Sequence, residues 1–286
     1  MQIRNIAAAR DVPIVAIGAW EHEVELWDAA SAIRIATFKT ALDSGGRRLV
    51  VSHDGTRIAA AAYREHGVSV FDAWSGRVVW TRKDLQGIQI LTWSRDGSRL
   101  YCGLEVDILH EIDLATGKTL EKLTNVRTRV DSPFDNAFLL DGKRLKVHST
   151  SGLSFLPRRE TFCVLDAVFG PNVLAISESG GSIRVFSLES GVEVARYKPP
   201  SGVHALQLGY VAGSGDYFAL LWPYQDGGSK SLVRLDISDG SVNMVADLGQ
   251  PAATEFSANL NSMVCSTGEL VDLHSGVRRL FCSPPQ

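Results

Sequence analysis

The sequence predicts an all-β fold, a β-propeller of seven four-stranded antiparallel blades. Three observations predict it. Short apolar or alternating runs of strand length follow one another along the whole chain, each closed by Gly, Asp or Ser. The pattern repeats with a period of about 40 residues, the spacing of a four-stranded propeller blade. No stretch holds a 3.6-residue apolar period long enough for a sizeable helix.

The clearest unit runs from Arg47 to Trp80. RRLVVSHDG gives a strand and an Asp54-Gly55 hairpin turn, IAAAA a second strand, VSVFDAWSG an alternating third strand and its turn, and RVVW a fourth. The next unit repeats it: ILTWSRDG answers LVVSHDG, RLYCGL answers RIAAAA, HEIDLATG answers VSVFDAWSG, and KTLEKL answers RVVWT. Asp54 and Asp96 lie 42 residues apart, and the closing glycines Gly76 and Gly117 lie 41 apart.

The remaining units stay in phase with these. The first holds an apolar run from Ile14 to Trp20, then VELWD, then Ile33 to Phe38. In the fourth, AFLLDG reads as the first strand, with KRLKVHS, GLSFLP and TFCVLD after it. The fifth is short, the sixth carries extra length in WPYQDGGSK (Trp222 to Lys230), and the seventh ends almost at the C-terminus. The expected organisation is one propeller domain over 1–286, with blades near 1–40, 41–83, 84–124, 125–165, 166–199, 200–248 and 249–286. A single open sheet of some 28 strands would be implausible. In a ring, each small sheet instead buries its two faces against neighbours. The last unit owns its fourth strand, so closure is expected to rest on packing between the first and last blades.

Composition narrows the function. Hydrophobic residues make up 45% and charged residues 21% of the chain, which is ordinary usage for a folded domain rather than a disordered one. A net charge of −3 gives no global pull toward phosphate. The pairs Arg47-Arg48, Arg158-Arg159 and Arg278-Arg279 fall in different units, so no basic stripe for nucleic acid is expected. No run approaches the ~18 apolar residues of a spanning helix. Arg10, Asp11 and Pro13 break the apolar start, so neither a membrane partner nor a signal peptide is expected. The four cysteines, Cys102, Cys163, Cys265 and Cys282, lack CxxC spacing. They read as free thiols of a cytoplasmic protein, or as a Cys265–Cys282 disulfide if the protein is exported.

Asp28, Asp72, Asp113, Asp236 and Asp272 recur at the ends of third strands, where they invite a metal reading. Each except Asp28 opens a D-x-x-x-G turn. A carboxylate accepting turn amides while the Gly takes positive φ is the structural role expected of all five.

VELWD and VSVFDAWSG resemble the third strand of WD-repeat blades, and LVVSHDG and ILTWSRDG resemble the strands that precede it. The resemblance is strong over 14–123 and 182–240. The chain departs from the family in lacking any Gly-His pair. Only Trp27 fills the Trp place, with Phe71, Ile112, Phe186, Leu235 and Val271 in the others. It is therefore most similar to divergent bacterial WD-like or YVTN-like propellers. The expected function is a protein-interaction scaffold, and the small stand-alone size suggests a complex subunit or a toxin-neutralising partner.

No catalytic residue, cofactor or metal site is expected. None of the seven histidines forms an H-x-x-x-H or H-E-x-x-H pair, and no G-x-S-x-G or phosphate-cradling glycine motif occurs. Partner binding is expected on the face carrying the loops at 20–23, 64–66, 124–135 and 222–230. Its candidate residues are Glu21, His22, Arg64, His66, Arg127, Arg129, Phe134, Trp222 and Tyr224. Trp, Tyr and Arg dominate interface energetics, and loops on a rigid scaffold carry binding. The partner is expected to be a protein and the propeller by itself a monomer. The alternatives are a metal-dependent hydrolase or lactonase, and a small-ligand sensor at the central channel.

Overall fold

The fold comes from a computed structural model that describes residues 3–19, 23–39, 48–61, 67–104, 108–124, 126–131, 137–141, 144–149, 152–156, 164–178, 180–223, 228–251, 254–257 and 261–281. Its strands pair with their sequence neighbours into four-stranded antiparallel sheets. The first holds β1 (Ile3–Ala8), β2 (Ile14–Ala19), β3 (Glu23–Asp28) and β4 (Ile33–Lys39). The second holds β5 (Arg48–Val51), β6 (Arg57–Ala61), β7 (Val68–Asp72) and β8 (Val78–Arg82). The third holds β9 (Ile88–Trp93), β10 (Arg99–Leu104), β11 (Ile108–Asp113) and β12 (Thr119–Thr124). The fourth holds β13 (Val126–Asp131), β14 (Ala137–Asp141), β15 (Arg144–Ser149) and β16 (Gly152–Leu156). The fifth holds β17 (Val164–Phe169), β18 (Val173–Glu178), β19 (Ile183–Ser187) and β20 (Glu193–Tyr197). The sixth holds β21 (Val203–Val211), β22 (Asp216–Pro223), β23 (Lys230–Leu235) and β24 (Val242–Gly249). The last holds β25 (Thr254–Ser257), β26 (Ser262–Cys265), β27 (Glu269–Asp272) and β28 (Arg278–Leu280).

In six of the sheets the first strand is the innermost. In succession β1 touches β5, β5 touches β9, β17 touches β21, β21 touches β25, and β25 returns to β1. These strands enclose a central channel, with Ala7, Val50, Thr92, Val168, Gly209 and Glu255 on its wall. The all-β propeller of four-stranded blades is thus present. The expected seven blades around the axis are corrected to six, those of the first, second, third, fifth, sixth and last sheets. The fourth sheet is described by its backbone, and its β13 lies across β9, β10 and β11.

That fourth sheet also corrects the strand reading by one place. AFLLD is its second strand, β14, and its first is β13. Val164–Phe169, read partly as the fourth unit's last strand, opens the next sheet. The polar run Arg127-Thr128-Arg129 hid β13, because period-2 reading needs an apolar face.

Packing follows the ring. The second and third strands are buried on both faces, as in β6 and β7, and so read as continuous apolar runs. Each of the main apolar clusters straddles two sheets. Leu26 and Ala16 meet Ile58 and Phe71; Val70 and Ala59 meet Leu100 and Ile112; Val185 meets Ala219; Phe218 and Leu232 meet Met263 and Val271. The core therefore lies between blades, and no sheet hides its faces alone. At the closure Ile6, Val15 and Ile17 pack on Val264, Leu270 and Phe281. Trp27 meets the Phe281 ring edge-on at 6.2 Å between centroids. The last sheet keeps its own β28, so side-chain packing joins the ends, as expected.

The recurring aspartates hold turns. Asp72 Oδ1 accepts from Ser75 N and Oγ, at 3.0 and 2.7 Å, and Gly76 N donates to Asp72 O. Asp113 with Thr116, Asp236 with Ser238 and Asp272 with Ser275 repeat this side-chain arrangement. These bonds hold the carboxyls of Asp72, Asp113, Asp236 and Asp272 below their ordinary range. The outer strands of five sheets carry a β-bulge, at Ile35, Val79, Leu120, Val194 and Val245. A bulge interrupts the free edge and discourages edge-to-edge pairing. Cys102 and Cys265 are buried free thiols, so the Cys265–Cys282 bridge is not formed; Cys163 and Cys282 lie outside the described residues.

Candidate functional site

In an up-and-down sheet, the turns after the first and third strands share one end and the links after the second and fourth share the other. Trp222 sits at this second end, near the tip of β22 and opposite His204 of β21, and is 37% exposed. The hairpin is longer than the sequence suggested. Strand β22 runs through Pro223; β21, at nine residues, is the longest of the described strands, and β22 and β24 follow at eight. The expected loop at 222–230 therefore shortens to the residues between Pro223 and Lys230. Its base is fixed from two sides. Gly228 packs so closely on the Pro223 ring that a Cβ would not fit. Lys230 Nζ donates to Pro251 O at 2.7 Å, and burial lowers the Lys230 ammonium below its usual range. A half-exposed indole thus stands on a stiff hairpin.

The other candidates divide in two groups. Arg127 and Arg129 belong to β13, not to a connecting loop, so the expected loop at 124–135 is corrected to a strand over Val126–Asp131. Glu21, His22, Arg64, His66, Phe134 and Tyr224 lie outside the described residues. The structure also shows an aromatic that the sequence reading passed over. Trp74, in the DAWSG turn at the opposite end of the ring, is 55% exposed. Its signal was an aromatic inside a turn whose other residues are small or polar.

The channel is the second feature. Register places its wall in layers. Asn5, Arg48, Ile90, Asp166 and Gln207 share the layer nearest the Trp222 end. The next layer holds Ala7, Val50, Thr92, Val168, Gly209 and Glu255. Asp166 is stapled across blades: its Oδ2 accepts from Leu208 N at 2.7 Å, and its Oδ1 from Ala167 N at 2.9 Å. Gln207 Nε2 donates to Thr254 O at 3.0 Å and lies 3.5 Å from Glu255 Oε2. Desolvation raises the Asp166 carboxyl to about 6, against the two amide bonds. Desolvation, then the nearby Asp166 charge, pushes Glu255 up to about 8, so at neutral pH it is mainly protonated. Both are half-buried by area, and Glu255 lines the channel cavity.

One cluster at the Trp74 end has the composition of a hydrolytic triad but not its geometry. His274 Nε2 lies 3.2 Å from Ser214 Oγ and 2.9 Å from Asp216 Oδ2, while Nδ1 faces Asn261 Nδ2 at 2.9 Å. Ser and Asp compete for one ring nitrogen, so the imidazole cannot take a proton from Ser214 while Asp216 orients its far side. The cluster clamps β22 to the last sheet. Among the described residues, no group of three or more His, Cys, Asp or Glu could hold a metal ion.

No family model and no curated protein sequence matches the chain. Solved structures do. "Structure of U3-55K" aligns over 93% of this chain and 88% of that one, with a TM-score of 0.68 at 12% identity. "Crystal structure of RRP9 WD40 repeats" aligns over 93% and 87%, with a TM-score of 0.66 at 11% identity. Identities this low establish the fold alone, and that fold, with its Asp-closed turns and blade-to-blade cores, is a WD-repeat-like β-propeller.

Proposed function

We propose that this chain is a non-catalytic protein-interaction module, a single propeller ring that binds a partner protein on the face bearing Trp222. The observation that carries the reading is the stiff β21–β22 hairpin with a 37% exposed Trp222 at its tip. An indole held in place gives up little conformational entropy on binding and offers a large apolar contact. Tyr224, Arg64 and His66 belong to the same face in the sequence reading. The protein acts as a subunit of a larger assembly, and the ring by itself is monomeric. A metal-dependent hydrolase or lactonase, or a small-ligand sensor at the central channel, is the alternative reading.

Affinity capture from the native cell tests this with the intact protein and Trp222→Ala. Loss of the captured partner, with an unchanged melting temperature, supports the site. Equal capture by both removes Trp222 from the interface, and recovery of no stable protein partner by the intact chain defeats the scaffold reading.

A further inference from the structure

The outer strand of the last sheet is an open edge, unlike the other outer strands whose side chains are described. Those of the first, second, third, fifth and sixth sheets are broken by a bulge, whereas β28 pairs with β27 over Arg278–Leu280 without a register shift. A bulge blunts an edge, so β28 lacks the device that guards its counterparts. All of its residues are exposed, and Leu280 and the adjacent Val277 are large apolar side chains left in solvent.

The bonds that β28 already makes fix the direction of its backbone. Val277 O accepts from Asp272 N and Phe281 N donates to Gly268 O, both at 2.9 Å, so residues 277 and 281 turn toward β27. Bonded and non-bonded pairs alternate along an antiparallel ladder. Arg279 therefore bonds to Leu270, while Arg278 and Leu280 turn their N–H and C=O groups outward. Among the described residues none pairs with those outward groups. Side chains alternate as well. Arg279 stands on the face of Phe281, toward the first sheet, and Arg278 with Leu280 on the face toward the sixth, where Arg278 donates to Asp247 O.

Charge selects the strand that fits this edge. Arg278 has one distant carboxylate, Glu269 Oε2 at 3.5 Å, and Arg279 has none among the described residues. A second copy pairing antiparallel through the same three residues would set Arg279 against Arg279, and like charges directly opposite are unfavourable. Carboxylates at the same places are favourable. We propose that the β28 edge takes up a strand of a partner protein, an extended acidic segment with carboxylates opposite Arg278 and Arg279 and an apolar residue opposite Leu280. The outward groups of Arg278 and Leu280 supply the main-chain bonds, and the arginines set the sequence preference.

Two-dimensional NMR of the full chain tests this with the blocked hexapeptide Thr-Val-Glu-Glu-Val-Thr as probe. The controls are Thr-Val-Lys-Lys-Val-Thr and the glutamate peptide with N-methylated backbone amides. At millimolar concentration the glutamate peptide should shift the Arg278 and Leu280 amide signals and slow their exchange. The lysine peptide should bind at least about ten-fold more weakly. The N-methylated peptide should not bind. Arg279→Glu should reverse the preference between the two charged peptides. Leu280→Pro, which removes an outward N–H and no ladder bond, should abolish binding, while Trp222→Ala keeps it. The proposal is overturned by no shift with the glutamate peptide, by equal binding of either control, by an unchanged preference in Arg279→Glu, or by protection of both amides in the free chain. Concentration-dependent shifts at these amides without peptide overturn it too, by giving the edge to a second copy. The outcome is separate from partner capture through Trp222, which belongs to the sixth sheet.

Discussion

Gly76 lies against the first side-chain carbons of Phe38: a Cβ on the glycine would sit 2.6 Å from Phe38 Cβ and 2.8 Å from Cγ. Here the Asp-closed turn of one blade rests on the outer strand of the previous one. The arrangement repeats, with Gly117 on Trp80, Gly240 on the Arg196 carbonyl and Gly276 on the Val245 carbonyl. The glycine therefore has two roles, allowing positive φ and admitting the neighbouring blade.

The two roles can be separated by experiment. Gly97 has nearly the same φ as Gly76, +68° against +66°, but nothing within 4 Å of an added Cβ. Gly97→Ala should cost about 1 kcal/mol, the left-handed penalty alone. Gly76→Ala should cost about 1–3 kcal/mol more, because Phe38 is struck near its backbone and cannot swing aside. Urea unfolding of both variants measures the difference. Equal losses would mean that the turn does not bear on the adjacent blade.

The first sheet supplies the converse case. Its turn reads DAASA, and Ala32 stands where the other blades have glycine, at φ +58° and exposed. Ala32→Gly should stabilise the protein by up to about 1 kcal/mol, the relief of left-handed strain reduced by the added freedom of the unfolded chain. A fall in the denaturation midpoint would show that this turn is held by contacts of the alanine methyl instead.

These turns were legible because their chemistry is local. Ser52 and Thr56 hydroxyls donate to Asp54, Ser94 and Ser98 hydroxyls to Asp96, and all lie within a few residues of one another. The period that follows from them predicted most of the strands. The fourth sheet was misread where the local signal fails, since β13 carries polar residues where an inner strand was expected to show an apolar face. Trp222 could be picked out as an aromatic beside a Gly-rich stretch, though not the length of the hairpin beneath it. The channel charges were not legible at all. Asp166 and Glu255 are far apart in the chain, each beside ordinary strand residues, and meet only because three blades stand side by side.

Burial beside Asp166 raises the Glu255 carboxyl while local hydroxyls lower that of Asp96, so the two respond oppositely to pH. Glu255 titrates near 4.5 unfolded and about 8 folded, so the folded state holds a proton that the unfolded chain has lost between those values. Its contribution to stability falls as pH rises through the window. Melting curves of the intact protein and Glu255→Gln should agree near pH 4.5 and diverge toward pH 8, the variant being the more stable. Asp96 is held at about 2, first by the Ser94 hydroxyl and then by Ser98, against 3.8 unfolded. Its contribution is present above pH 3.8 and is lost as pH falls toward 2. Asp96→Asn should therefore lose stability at neutral pH and converge with the intact protein in acid, by a modest amount because the carboxylate is exposed. Parallel curves for Glu255→Gln across pH 4.5–8 would show that water reaches its carboxyl freely.

Closure rests on a small set of contacts, which makes Phe281 the most exposing place to cut. Its ring is 2% exposed, stands perpendicular to Trp27, and packs with Ile6, Val15, Ile17, Val264 and Leu270 at the seam between the first and last sheets. Among the described residues no strand of the first sheet pairs with the last, so no described strand ladder crosses this seam. Phe281→Ala should cost about 3–5 kcal/mol. Phe71, 1% exposed between the first two sheets, is a matched control, and Phe71→Ala should cost a similar amount. The two variants should differ in where the ring opens. Native-state hydrogen exchange should quicken at β1, β25 and β26 in Phe281→Ala, ahead of global unfolding, while Phe71→Ala leaves those strands protected. Uniform exchange across the ring in Phe281→Ala would mean that the closing seam is no weaker than the others, and that the chain unfolds as one unit wherever it is cut.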